Sequence, residues 1–207
     1  MREILLATGN AKKAAEMRQI LGAADAGGQV RWRLLSEFAG WPEPIEDGAT
    51  FLANAEIKAR HYARLSGLWT IADDSGLEVD ALGGEPGVYS ARYAGVPAND
   101  AANNALLLRR LAGVPPERRT ARFRCAVVLC DGRGVLASAE GAVEGRILDA
   151  PLGENGFGYD PLFWVEAAGM TTAQMPPERK HALSHRGQAL RLLAARLPQL
   201  LDEGSRP

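Results

Sequence analysis

The sequence predicts an α/β fold built on a mixed β-sheet, and three observations carry that expectation. Apolar runs of strand length alternate with amphipathic helical stretches early in the chain. Two long strand-like segments, residues 119–131 and 134–147, flank the turn "DGRG", which predicts an antiparallel hairpin in the middle. Composition is that of an ordinary globular domain, with 46% hydrophobic and 24% charged residues in 207.

The elements follow in order. "REILLAT" (2–8) reads as a buried first strand, and "NAKKAAEMRQIL" (10–21) as a helix. Asn10 suits its N-cap, Gly22 its stop, and Ala14, Met17 and Leu21 its inward stripe. A second strand lies within residues 27–37, followed by the Pro-rich loop "WPEPIEDGA". Residues 50–67 form a long amphipathic helix stopped by Gly67, and "LWTIAD" (68–73) the next strand. A helix over 99–113, the central hairpin and a Gly-rich loop over 152–163 come next. Residues 184–201 read as one helix with a stripe at Leu190, Leu193, Leu197 and Leu201, leaving 202–207 as a frayed tail. There is no internal repeat or long linker, so residues 1–201 form one domain.

Several function classes are excluded by totals. A net charge of -1 provides no basic field for a nucleic-acid polymer. The N-terminus is too short and polar for a signal peptide, and no apolar run reaches about 18 residues, so a cytoplasmic protein with no membrane association is expected. Cys125 and Cys130 are five apart in one strand-like segment. An odd separation points them to opposite faces, as reduced thiols rather than a disulfide or metal pair.

Charged residues gather at four places. In "TGNAKK" (8–13) a strand turns at Gly9 into a helix whose first turn carries Lys12 and Lys13, where the helix dipole disfavours cations. A bound phosphate would reverse that penalty; solvated lysines beside an ordinary cap fit as well. The last helix repeats the pattern: Ser184 suits the N-cap, His185 and Arg186 occupy the first turn, and Lys180 and His181 lie nearby. On the acidic side, Glu46 and Asp47 precede the long helix, and "DDSG" places Asp73 and Asp74 side by side at an expected strand end. A hard cation would relieve the repulsion of that pair, and one aspartate would accept a proton from an attacking water. Asn54 and Lys58 share a helix face, where the lysine either reaches phosphate or is solvated. In "GENGFGYDP" (153–161) Phe157 can stack on a flat base and Asp160 can accept a hydrogen bond; alternatively Phe157 and Tyr159 are simply buried in a tight loop. Phosphate clamps, paired carboxylates and a stacking loop together describe a nucleoside triphosphate site.

Five motifs in order, "TGNAKK", "EDGATFLANAEIKA", "ADDSGLEVDALGGEPGVYSARYAG", "GFGYDPLF" and "LSHRGQAL", resemble the inosine triphosphate pyrophosphatase family over nearly the whole chain, from residue 4 to about 197. That resemblance implies hydrolysis of triphosphates of deaminated purines (dITP, ITP, XTP and dXTP) to monophosphate and pyrophosphate. It also implies Mg²⁺, a homodimer, and an elongated mixed sheet in two lobes with a central cleft. By position it makes Thr8, Gly9, Asn10, Ala11, Lys12 and Lys13 a triphosphate-binding segment. Glu46 and Asp74 become the metal carboxylates, and Asp74 also the proton acceptor. Ser75 and Lys58 fall at substrate-binding positions. Phe157, Gly158, Tyr159 and Asp160 would enclose base and sugar, with Lys180, His185 and Arg186 completing the pocket. Asp73 matches a motif position without a role of its own. Two alternatives stand beside this: a pyrophosphatase for other modified or pyrimidine nucleotides, and a non-catalytic nucleotide sensor.

Overall fold

The computed structural model describes residues 1–25, 27–38 and 40–203. It contains a seven-stranded mixed sheet with helices, in the order β2-β1-β3-β4-β5-β6-β7. The strands are β1 (Arg2–Leu6), β2 (Val30–Leu34), β3 (Trp69–Val79), β4 (Thr120–Cys130), β5 (Val135–Ile147), β6 (Phe163–Val165) and β7 (Met170–Thr171). The helices are α1 (Ala11–Ala24), α2 (Phe51–Ser66), α3 (Asp100–Arg110), α4 (Pro177–Leu183), α5 (His185–Ala194) and α6 (Leu197–Glu203). β1 pairs in parallel with β2 and β3, whereas β5–β6 and β6–β7 are antiparallel. The expected mixed sheet is therefore present. The β4–β5 connection is the expected turn: the Asp131 carboxylate accepts from the N–H groups of Arg133 and Gly134.

The chain divides into two compact units. The first comprises residues 1–74, 125–141 and 186–207, the second residues 75–124 and 142–185. The first unit's core joins Ile4, Leu6 and Ile71 to Met17 and Leu21 of α1 and to Leu190, Leu193, Leu197 and Leu201 of the last two helices. Burying each leucine contributes about 1.5–3 kcal/mol, enough to fix the face that these helices present. On the other sheet face α2 buries Phe51, Ala55, Ala59, Tyr62 and Ala63, the alanines allowing close approach. The second unit's core gathers Leu77, Val79, Leu107, Phe123, Ile147, Tyr159 and Phe163.

Boundaries near both chain ends differ from expectation, each for a physical reason. α1 passes through Gly22 to Ala24, because the buried Ile20 and Leu21 hold its last turn. It ends at Asp25, whose carboxylate turns outward to accept from Gln29 and Val30. The predicted C-terminal helix is two helices, since Pro198 has no N–H for a helix that enters from α5 and sits instead in the first turn of α6. Asp202 and Glu203 belong to α6 rather than to a tail, and residues 204–207 lie outside the described residues. Gly67 does stop α2, in the left-handed conformation at φ 66° that glycine adopts freely.

Candidate active site

The largest departure concerns "IADDSG". The aspartate pair does not end a strand: β3 continues through Asp73, Asp74, Ser75 and Gly76 to Val79. Adjacent strand residues point to opposite faces, so the two carboxylates are separated rather than crowded. Asp73 faces α1 and α5, and Asp74 faces α2.

Asp73 is a buried hub. Its Oδ2 lies 3.2 Å from Lys13 Nζ and accepts from Arg186 Nε at 3.1 Å. Arg186 also donates from Nη1 to Glu16 at 2.6 Å. Burial alone would lower the Arg186 pKa, but Asp73, Cys125 and Glu16 together keep it above its ordinary value. Lys13 and Arg186, one cation from each of the two helix starts, are thus compensated by the same resident anion, so neither of these two side chains by itself requires a bound phosphate. At the start of α1 the side chain of Asn10 accepts from the N–H groups of Lys12 and Lys13, and Thr8 Oγ1 accepts from the Asn10 N–H. Gly9, Asn10, Ala11 and Lys12 are exposed, and Lys13 is half-buried.

Asp74 is 9% exposed. Its Oδ2 accepts from Asn54 Nδ2 at 3.2 Å, and among the described residues its Oδ1 has no hydrogen-bond partner. Burial pushes its pKa up, an effect that Lys58, Lys13 and Asn54 oppose and Asp73 reinforces. Lys58 Nζ lies 2.9 Å from Glu46 Oε2 and donates to the Asp73 carbonyl at 3.1 Å. Burial would lower the Lys58 pKa, yet Asp73, Glu46 and Asp74 together raise it, so a fixed ammonium stands among three carboxylates. Among the described residues no three His, Cys, Asp or Glu side chains converge as a metal cage.

The second unit holds the Gly-rich loop. Phe157 is half-buried, with Lys180 Nζ 4.9 Å from its ring centroid. Asp160 is buried and fully engaged: Oδ2 accepts from Lys180 at 2.6 Å and from the Phe157 N–H at 2.8 Å, and Oδ1 from Thr172 at 2.8 Å. Gly156 has φ +79°, and a Cβ there would collide with Asp160 Oδ2, so only glycine fits. The Gly158 peptide is gripped from both sides, its N–H by Asp100 at 2.7 Å and its carbonyl by Asn104 at 2.9 Å. Tyr159 is a core residue whose hydroxyl donates to the Ser90 carbonyl, and burial raises its pKa. The His185 ring stacks on Phe123 at 4.9 Å and 15°.

A model of the Ham1 family matches residues 4–196. The chain belongs to the Ham1 family. It is 50% identical over 195 residues to the dITP/XTP pyrophosphatase of Geobacter sulfurreducens, covering 93% of this chain and 95% of that protein. It is 51% identical over 197 residues to the dITP/XTP pyrophosphatase of Vibrio cholerae, at the same coverage of each. Among solved structures, a HAM1 protein from Coxiella burnetii matches with TM-score 0.85 at 42% identity, over 96% of this chain and all of that one. The dITP/XTP pyrophosphatase from Mycobacterium abscessus matches with TM-score 0.74 at 46% identity, over 96% and 99%.

In this Ham1-family chain the first unit brings together Lys13, Glu46, Lys58 and Asp74, with Arg186 drawn to Asp73. The second brings together Phe157, Gly158, Asp160 and Lys180, while Tyr159 takes the buried alternative and Ser75 is half-buried on β3. Three contributors to these contacts were not singled out, Glu16, Asp100 and Asn104, and Asn54 was named without a role of its own. Asn54 carried a signal, its spacing of four from Lys58 on one helix face. Glu16 carried none, since its partner Arg186 is 170 residues away.

Proposed function

We propose that this chain is a Mg²⁺-dependent hydrolase that cleaves triphosphates of deaminated purines (dITP, ITP and XTP) to the monophosphate and pyrophosphate. The carrying observation is Asp74: a buried carboxylate tied through one oxygen to Asn54, with the other oxygen unengaged, beside Lys58 and Lys13. The substrate class rests on relatives of about half identity that are named dITP/XTP pyrophosphatases. The same names do not favour a pyrimidine pyrophosphatase or a non-catalytic sensor.

The residues fit a hard divalent cation. Asp74 offers an unengaged oxygen, and the Glu46 carboxylate is held by an ammonium, a partner that a metal replaces in kind. Mg²⁺ ordinarily takes one or two carboxylates and fills its octahedron with water and substrate phosphate. Glu46 and Asp74 would hold it, and the ion would neutralise charge on the triphosphate.

Asp74 accepts the proton of the water that attacks the α-phosphorus. Burial raises its pKa in the metal-free chain, and a bound cation would act in the opposite sense. The new bond joins water oxygen to the α-phosphorus, the bond to the β-phosphate bridge breaks, and pyrophosphate carries away the electron pair. Lys13 and Lys58 bind the charged chain with the segment from Thr8 to Lys12, and Ser75 contacts the substrate next to Asp74. For the base, the Phe157 ring, with Lys180 Nζ 4.9 Å from its centroid, offers a flat surface for stacking. His185, held flat against Phe123, donates to the 6-oxo group that distinguishes these bases from adenine. Arg186 supports the site through Asp73 rather than by reading the base. The enzyme works in the cytoplasm as a homodimer.

The test is a panel of dITP, ITP, XTP, GTP, ATP and dTTP with Mg²⁺ and pyrophosphate detection. The 6-oxo triphosphates with hypoxanthine or xanthine should be turned over far faster than ATP or dTTP. Equal rates across the panel would refute the base reading, and no pyrophosphate from any of them would refute the activity.

A further inference from the structure

Asn54 occupies an unusual position for a buried amide. It is 1% exposed in α2, and both ends of its side chain are used by different parts of the first unit. Its Oδ1 accepts from the Gly48 N–H at 2.8 Å, in the loop that carries Glu46. Its Nδ2 donates to Asp74 Oδ2 at 3.2 Å. A backbone N–H can only donate, so the amide oxygen must face Gly48 and the NH₂ must face Asp74; the orientation is fixed by chemistry.

One turn further along α2, Lys58 makes a parallel link, from the Glu46 carboxylate to the Asp73 carbonyl. Two rungs therefore join the 46–48 loop to β3. The Lys58 rung is an ion pair that a substrate or cation can exchange. The Asn54 rung is neutral and buried, and it takes only one of the two Asp74 oxygens. Gly48 is part of the same fit: a Cβ there would lie 2.7 Å from Asn54 Oδ1 and 2.8 Å from the Ala53 Cβ.

We propose that Asn54 is a positioning residue that fixes the Asp74 carboxylate and the Glu46-bearing loop as one unit, directing Asp74 Oδ1 to metal and water. This rests on reading Glu46 and Asp74 as the metal carboxylates. Groups behind metal ligands typically change metal affinity or activity about 10–100-fold when removed.

The test measures Mn²⁺ binding to the nucleotide-free protein by water proton relaxation, alongside kcat and KM for dITP, for Asn54→Ala, Gly48→Ala, Glu46→Gln and Asp74→Asn. Asn54→Ala should weaken Mn²⁺ binding about 10-fold or more and lower kcat with a smaller change in KM. Gly48→Ala, which leaves Asn54 in place but pushes the loop from it, should reproduce both effects and carries the test if Asn54→Ala does not fold. Their effects should not add in the double variant. If Glu46→Gln and Asp74→Asn leave Mn²⁺ binding unchanged, the metal reading falls and this role for Asn54 with it. If those two weaken binding while Asn54→Ala or Gly48→Ala binds Mn²⁺ as the parent does, the metal reading stands and the positioning role alone is overturned.

Discussion

Replacing Asp73 and its neighbour Asp74 by asparagine, one at a time, should give opposite phenotypes. The Asp73 side chain is fully buried, and its partner Arg186 is 3% exposed. Asp73→Asn removes the charge that compensates Lys13 and Arg186 at two helix starts. Breaking a buried pair by removing one partner costs about 3–5 kcal/mol. In a chain of this size each kcal/mol moves Tm by about 2–4 °C, so the expected loss is about 6–20 °C. Asp74→Asn removes a carboxylate whose ionisation burial already opposes, and the new side-chain oxygen still accepts from Asn54. Its Tm should therefore equal or exceed the parent's, while loss of the proton acceptor lowers kcat about 10²–10⁴-fold. Calorimetric unfolding with chelator present, paired with dITP turnover, separates the two. An Asp73→Asn variant that melts with the parent, or an Asp74→Asn variant that melts far below it, would refute the assignment of one aspartate to the fold and the other to chemistry.

Three further outcomes are expected. Phe157→Ala should weaken binding of inosine monophosphate by about 1–3 kcal/mol, read by calorimetric titration, and unchanged affinity would assign the ring to packing alone. Asn104→Ala releases one side of the Gly158 peptide, so KM for dITP should rise with kcat nearly kept; a fall in kcat at constant KM would contradict a role in holding the base loop. Burial pushes the Cys130 thiol to about 11, and Cys125 is equally buried. Iodoacetamide at pH 8.5 should thus label neither until the chain is unfolded, and stoichiometric labelling of the native protein would count against the packed core.

Much of the fold was legible because periodicity reports which face is buried. The leucine stripe of the last helices, the Thr50 and Gly67 boundaries of α2 and the opposed faces of Cys125 and Cys130 follow from local pattern. What sequence did not reveal depended on partners distant along the chain. Two adjacent aspartates resemble a strand end when only their repulsion along the chain counts, but the strand's alternation sends them to different helices. That Lys13 and Arg186 share a resident carboxylate could not be read locally, because β3 contributes it. Asp160 looked like a substrate acceptor, yet every hydrogen bond found for its carboxylate serves the loop and Lys180. Glu46 and Asp74, named as metal carboxylates by the resemblance, both lie near Lys58; Asn54, which links their segments, is a neutral residue in a charged motif.

The most direct measurement of the central claim is single-turnover hydrolysis of dITP in H₂¹⁸O with Mg²⁺, followed by mass analysis of both products. Attack by water at the α-phosphorus predicts one ¹⁸O in the monophosphate, unlabelled pyrophosphate and equal amounts of the two. Label in the pyrophosphate, or release of orthophosphate in its place, would contradict it.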